Sequence, residues 1–185
     1  MFEWQTVVTS IDNWTVDTST VTSMRCMFNY CYGLTALDVS NFDTSNVTDM
    51  AFMFSYCKMT ALDVSNFNTS KVTSMGSMFS DCSRLTALDV SNFNTSNVTD
   101  MSHMFSDCYA ITSINMSGAT TLNVTNMGSM FYSCDNLVSL NLSKFDMSNV
   151  TDTSGMFEYD EKLKTVYIDK EDEKMHSALP GGSSQ

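Results

Sequence analysis

The chain has 185 residues, 43% of them hydrophobic, and its 21 Asp and Glu against 9 Lys and Arg give a net charge of −12. That balance argues against nucleic acid or an anionic membrane surface as partner, because both are polyanions. No apolar run approaches the ~20 residues that span a bilayer, so no direct membrane insertion is expected, and the opening Met-Phe-Glu-Trp has neither the basic nor the apolar region of a signal peptide.

Residues 1–20 read as a capping half-repeat. Val8, Ile11 and Val16 fall at the offsets that hold apolar residues in the later copies, and the two tryptophans, Trp4 and Trp14, also lie here. Terminal repeats of stacked proteins are normally atypical, so these side chains are expected to cover the first core layer.

From Val21 a pattern recurs: Val, then Met three on, Met six on, Phe seven on and Cys ten on. The copies are Val21/Met24/Met27/Phe28/Cys31, Val47/Met50/Met53/Phe54/Cys57, Val72/Met75/Met78/Phe79/Cys82, Val98/Met101/Met104/Phe105/Cys108 and Val124/Met127/Met130/Phe131/Cys134. A weaker sixth copy runs Val150/Thr153/Met156/Phe157, with Asp160 in the cysteine slot. The valines are 26, 25, 26, 26 and 26 residues apart, a period that marks a solenoid spanning residues 21–168. Most of the sixteen methionines sit at these slots, which makes them core residues.

Each copy has two parts. The spacing 0, 3, 6, 7, 10 puts the apolar residues on one stripe of a short helix. Asn46 stands as its N-cap with Asp49 three residues later, a capping-box pattern that returns as Asn97/Asp100 and Asn149/Asp152. The second part, Leu-Thr-Ala-Leu-Asp-Val-Ser-Asn-Phe at 34–42 and 85–93, slightly altered at 59–67, alternates as a strand does. Strands are expected to centre on Leu37, Leu62, Leu88, Ile114, Leu140 and Val166, paired in parallel and in register. One repeat cannot bury enough apolar surface to offset the ordering of its own backbone, so the copies must stack. The fold class is therefore an α/β repeat solenoid with one parallel sheet face and short helices opposite.

The fifth copy departs from the pattern. Gly118 and Ala119 replace the Asn and Phe of the strand segment, and Leu122 is placed to refill the space. Residues 169–185 read as a charged cap and a disordered tail; Leu179-Pro-Gly-Gly-Ser-Ser-Gln185 holds the only proline.

Leu-Thr-Ala-Leu-Asp-Val-Ser-Asn-Phe followed by Thr-Ser-Asn-Val-Thr-Asp-Met-x-x-Met-Phe-x-x-Cys resembles the BspA-like leucine-rich-repeat surface proteins of bacteria, over about residues 8–168. The resemblance implies a right-handed solenoid, cell-surface or secreted placement, and adhesion to host matrix proteins or other cells. It implies no catalytic residue.

Several side chains have a functional and a bland reading. Cys31, Cys57, Cys82, Cys108 and Cys134 stack along the repeat at a spacing compatible with disulfides, but their parallel Cβ vectors are not. They read as buried thiols, with Cys26 the accessible one. Asp38, Asp63 and Asp89 form an outward row continued by Asn115 and Asn141. Like charges in a row could attract a cation, yet a side-chain ladder lacks the six to eight oxygens Ca²⁺ prefers. The row reads as a solvated face with raised carboxylate pKa values. His103 and His176 are the only histidines, and no catalytic constellation or cofactor motif stands out.

The sequence thus points to a non-enzymatic module that binds a protein partner through its sheet face, at strand positions such as Thr35, Ala36, Asp38 and Ser40. Symmetry breaks toward the C-terminal half, where Asn115, Asn141 and Tyr167 follow Asp38, Asp63 and Asp89. An aromatic at the end of the row is suited to a binding hot spot; the plainer reading, and the preferred one, is that Tyr167 covers the end of the core. The other reading is a structural spacer or shell component of an extracellular assembly or phage fibre, which near-uniform exposed positions favour.

Overall fold

In residues 21–31, and in each later copy, backbone amides alternate between two kinds of partner. The amides of Met24, Cys26, Phe28 and Tyr30 donate to the carbonyls of Asp49, Ala51, Met53 and Ser55, one repeat further on, at 2.9–3.0 Å. Between them, the amides of Met27, Asn29 and Cys31 close short turns onto Met24, Cys26 and Phe28. The same alternation continues until the Ser133 amide reaches Glu158. Parallel bridges Ser23↔Asp49↔Ser74↔Asp100↔Asn126↔Asp152 record it as one unbroken line through six repeats. The computed structural model describes residues 9–11, 16–169 and 173–179. Val8, Trp4 and Trp14 of the expected N-terminal cap, residues 170–172 and residues 180–185 lie outside them.

This ridge stands where short helices were expected. Among the described residues the one α-helix is α1, Glu173–Ala178. Every fourth ridge residue adopts positive φ, as at Cys26 (57°) and Tyr30 (59°), then Phe52 (59°) and Tyr56 (61°). Left-handed backbone is costly for a residue with a side chain. Here it turns every second amide toward the next repeat, where a carbonyl waits. Both arrangements bury the same stripe: Val47, Met50, Met53, Phe54 and Cys57 are all wholly buried. Stacking therefore decides against the helix, helped by β-branched Val and Thr at its start. The expected caps work across repeats or within turns instead. Asn46 Nδ2 donates to the Ser19 carbonyl, 2.8 Å away. Asp49 Oδ1 accepts from the Ala51 amide, two residues on.

On another side of the repeats lie short parallel strands, β1 (Ser10–Ile11), β2 (Ala36–Leu37), β3 (Ala87–Asp89), β4 (Ser113–Asn115), β5 (Ser139–Asn141) and β6 (Thr165–Tyr167). They form three pairs, β1–β2, β3–β4 and β5–β6, not one continuous sheet. Leu88↔Ile114 and Leu140↔Val166 are in the expected register. Leu62 forms no strand. Its repeat is the short one, with two residues from Cys57 to Met59 where the others have three. Elsewhere that link closes a turn, such as the Leu85 amide on the Cys82 carbonyl at 3.0 Å. In the short repeat the Lys58 amide instead reaches back to Leu34, at 3.2 Å, and the strand register is lost.

The core is a set of columns. Phe28, Phe54, Phe79, Phe105, Phe131 and Phe157 stack with ring centroids 5.6–5.7 Å apart and planes nearly parallel. Thr44, Thr69, Thr95 and Thr121 form a buried polar column. Thr95 Oγ1 donates to the Thr120 carbonyl at 2.6 Å and accepts from the Thr120 amide at 2.8 Å, so one hydroxyl satisfies two backbone groups of the next repeat. Gly118 is forced by a close approach: a Cβ there would lie 1.9 Å from the Ser91 carbonyl oxygen. Leu122 does not refill the space beside Ala119; it is 55% exposed, and Val16 of the N-terminal segment is 57% exposed.

The cysteine column consists of thiols. Cys57, Cys82, Cys108 and Cys134 each donate to a phenylalanine carbonyl of the preceding repeat at 3.2 Å. Burial pushes the Cys82 thiol up to about 12 and holds those of Cys108 and Cys134 well above the usual range. Asp160 closes the column. Its Oδ1 accepts the Cys134 amide at 2.7 Å, while Oδ2 is buried without a partner. Burial raises its carboxyl to about 7. Beyond it, α1 caps one corner of the last repeat: Met175 is buried, and Lys174 Nζ donates to the Met147, Ser148 and Val150 carbonyls at 3.0–3.1 Å.

Three outcomes follow from these columns. Thr95→Val strands the part-buried amide and carbonyl of Thr120 and is expected to cost about 1 kcal/mol or more in denaturant unfolding. Thr99→Val, at an exposed hydroxyl, should stay within about 0.5 kcal/mol. A thiol reagent counted by mass should modify half-exposed Cys26 in the native protein and spare the five column cysteines until unfolding. Asp160 holds its proton in the folded state up to about pH 7 but only to about 3.8 when unfolded, so its contribution falls as pH rises through that window. Asp160→Asn keeps an acceptor for Cys134 and should gain melting temperature over wild type progressively from about pH 4 to 7. An unchanged difference across that range would refute the raised value.

Candidate interaction surface

Asp38, Asp63, Asp89, Asn115, Asn141 and Tyr167 are all exposed in one row. The first five share a local task. Each side-chain Oδ1 accepts the amide of the serine two residues on (Ser40, Ser65, Ser91, Ser117 and Ser143) at 2.8–3.2 Å. These are turns that Asp and Asn form readily. Hydrogen bonds to the following serine hold the Asp38, Asp63 and Asp89 carboxyls below the ordinary value, reversing the expected upward shift. The serine side chain and amide next to each charge outweigh the slight cost of burial on a row open to water. Asp89 also accepts from Asn115 Nδ2 at 3.1 Å. Among the described residues no three His, Cys, Asp or Glu side chains converge on a common point.

The row is not even. Asp89 pairs with Asn115 across β3 and β4, and Asn141 with Tyr167 across β5 and β6. Tyr167 is 58% exposed and so does not cover the core end; Val138, which precedes β5 and accepts the Lys164 amide, is 47% exposed. At the interrupted strand, Asp63 and Asp89 stand on the walls of an open cleft of about 390 Å³ with Leu62 and Asn92.

A second surface, on the ridge, escaped the sequence reading. Tyr30 and Tyr56 occupy equivalent left-handed positions in successive repeats, and their rings stack 4.4 Å apart. Tyr32 meets Tyr56 edge-on at 6.1 Å. Lys58 Nζ sits 6.0 Å from the Tyr32 ring centroid and bonds to Asp81 (2.9 Å) and Ser83 Oγ (2.7 Å). One repeat on, Tyr109 donates its hydroxyl to Asp107 at 2.8 Å. That bond, burial and the charges of Asp107, Asp81 and Asp135 push the tyrosine up to about 12. Aligning the outward slots, not only the core slots, would have exposed the signal: Tyr30, Tyr56, Asp81, Asp107, Ser133 and Tyr159 share one slot. Their variation looks like polar filler until stacking brings them side by side.

No curated protein and no solved structure matches the chain. One family model matches twice, over residues 1–117 and 58–170, and the two matches together cover both surfaces. The offset between them is close to two repeats, as expected when copies are interchangeable along a stack. This chain accordingly belongs to the family described as Mycoplasma protein of unknown function, DUF285.

Proposed function

We propose that the chain is a non-enzymatic binding module of BspA-like type: a right-handed, leucine-rich-repeat-like solenoid that recognises a protein partner at a cell surface or in a secreted protein. The ladder from Ser23 to Asp152, repeating at 25–26 residues, supports the solenoid reading. No described helix is long and apolar enough to cross a membrane.

The carrying observation is where symmetry breaks. Core columns and backbone ladders barely change from repeat to repeat, whereas the exposed tyrosines do. Tyr32 and Tyr109, 38% and 41% exposed, stand directly after a ridge whose backbone is fastened at every second residue. Tyrosine is enriched in hot spots because a rigid ring contributes contact area at low entropic cost. A spacer in an extracellular assembly would need only the columns and gives no reason for the tyrosines.

Tyr32→Ala combined with Tyr109→Ala should abolish or weaken at least about tenfold the binding to immobilised extracellular-matrix proteins or intact host cells, with melting unchanged. Tyr167→Ala with Asn141→Asp tests the strand face in the same assay. Wild-type affinity in both double variants would eliminate both surfaces and favour the spacer.

A further inference from the structure

Among the described residues the ridge ladder has an open end. In the fifth repeat the amides of Met127, Ser129, Phe131 and Ser133 donate to Asp152, Ser154, Met156 and Glu158. Their counterparts in the sixth, the amides of Thr153, Gly155, Phe157 and Tyr159, have no acceptor among the described residues. The neighbouring corner is treated differently, since α1 lays Lys174 over three carbonyls there. Between the uncovered ridge and the end of α1 lies a groove of about 640 Å³, within the ~300–1,000 Å³ usual for ligand sites.

An independent feature marks the same groove. Asp160 lines it, is 7% exposed, and its Oδ2 has no hydrogen-bond partner. Glu158 and Glu161 line it as well, with no basic residue among its described walls. A row of backbone donors calls for the carbonyls of another chain segment, as in strand addition to a sheet edge. The carboxylates call for a cation, and an unpaired buried acceptor for a donor.

We propose that this groove binds a short basic peptide segment, whose backbone carbonyls accept from the ridge amides and whose Lys or Arg side chain lies over Glu158, Asp160 and Glu161. The ridge advances more slowly than a flat strand because its residues turn. An extended peptide therefore pairs with at least two of the four amides, not with all of them at once. This goes beyond the tyrosine surface and stands or falls separately from it.

The test is amide hydrogen exchange by NMR on the full chain, with an N-acetylated, C-amidated Lys-Val-Lys-Val-Lys-Val hexapeptide as probe. Without peptide, the amides of Thr153, Gly155, Phe157 and Tyr159 should exchange far faster than those of Met127, Ser129, Phe131 and Ser133. With it, at least two of the four should slow by about tenfold or more. The Glu-Val-Glu-Val-Glu-Val counterpart should leave them unchanged. Asp160→Asn should weaken the basic peptide severalfold, while slow exchange at Met127–Ser133 confirms an intact fold. Unchanged exchange at saturating basic peptide, or equal protection by the acidic peptide, overturns the proposal. Equal protection by N-acetyl-lysine amide alone would reduce it to side-chain capture and also overturn the backbone pairing.

Discussion

Everything in this protein depends on the backbone hydrogen bonds that tie each ridge to the next. A ridge alone closes only short turns, with half its amides unpaired and every fourth residue in left-handed backbone. Unpaired amides and positive φ are both costly. A second repeat supplies the missing carbonyls and removes the first cost, which lets the second be tolerated. Cooperativity between neighbours is thus a property of the backbone before any side chain is considered.

Side chains then make the stack dry and specific. Phenylalanine rings, methionines and thiols fill the interior, and the threonine column threads polar groups through it without leaving them unsatisfied. A threonine hydroxyl fits this task because it donates and accepts at once. The cysteines act in a similar way, as small apolar fillers whose S–H meets a carbonyl. Asp160 interrupts that column at the last repeat: a carboxyl group stands where a thiol would donate, leaving one buried oxygen unmatched.

Because the frame is so regular, its irregularities are informative. One deleted residue between Cys57 and Met59 suffices to open the strand face into a cleft between Asp63 and Asp89. Tyrosines in adjacent equivalent slots become a stacked pair with a lysine and an aspartate beside them. Among the described residues, the end of the stack is capped at one corner by α1 and has no acceptor along its ridge. Each feature joins residues that are remote in sequence and adjacent only through stacking.

The sequence by itself determined the period, the number of repeats, the buried stripe and the fate of the cysteines. Those follow from which positions are apolar, and a spacing of 25–26 residues leaves little choice of what lies over what. It also marked Asp38, Asp63, Asp89, Asn115, Asn141 and Tyr167 as outward-facing. It did not decide between helix and ridge, because Val, Met, Met, Phe and Cys at 0, 3, 6, 7 and 10 face inward in either. What separates the two is the acceptor of each amide, and that acceptor lies on the neighbouring repeat. The carboxylate row was misjudged for a related reason: repulsion is visible in the spacing, whereas the serine amides that stabilise each charge appear only when the turn is formed. The tyrosine cluster and the open ridge end were likewise left to tertiary structure, since a contact between residues about 26 apart exists only once the repeats are stacked.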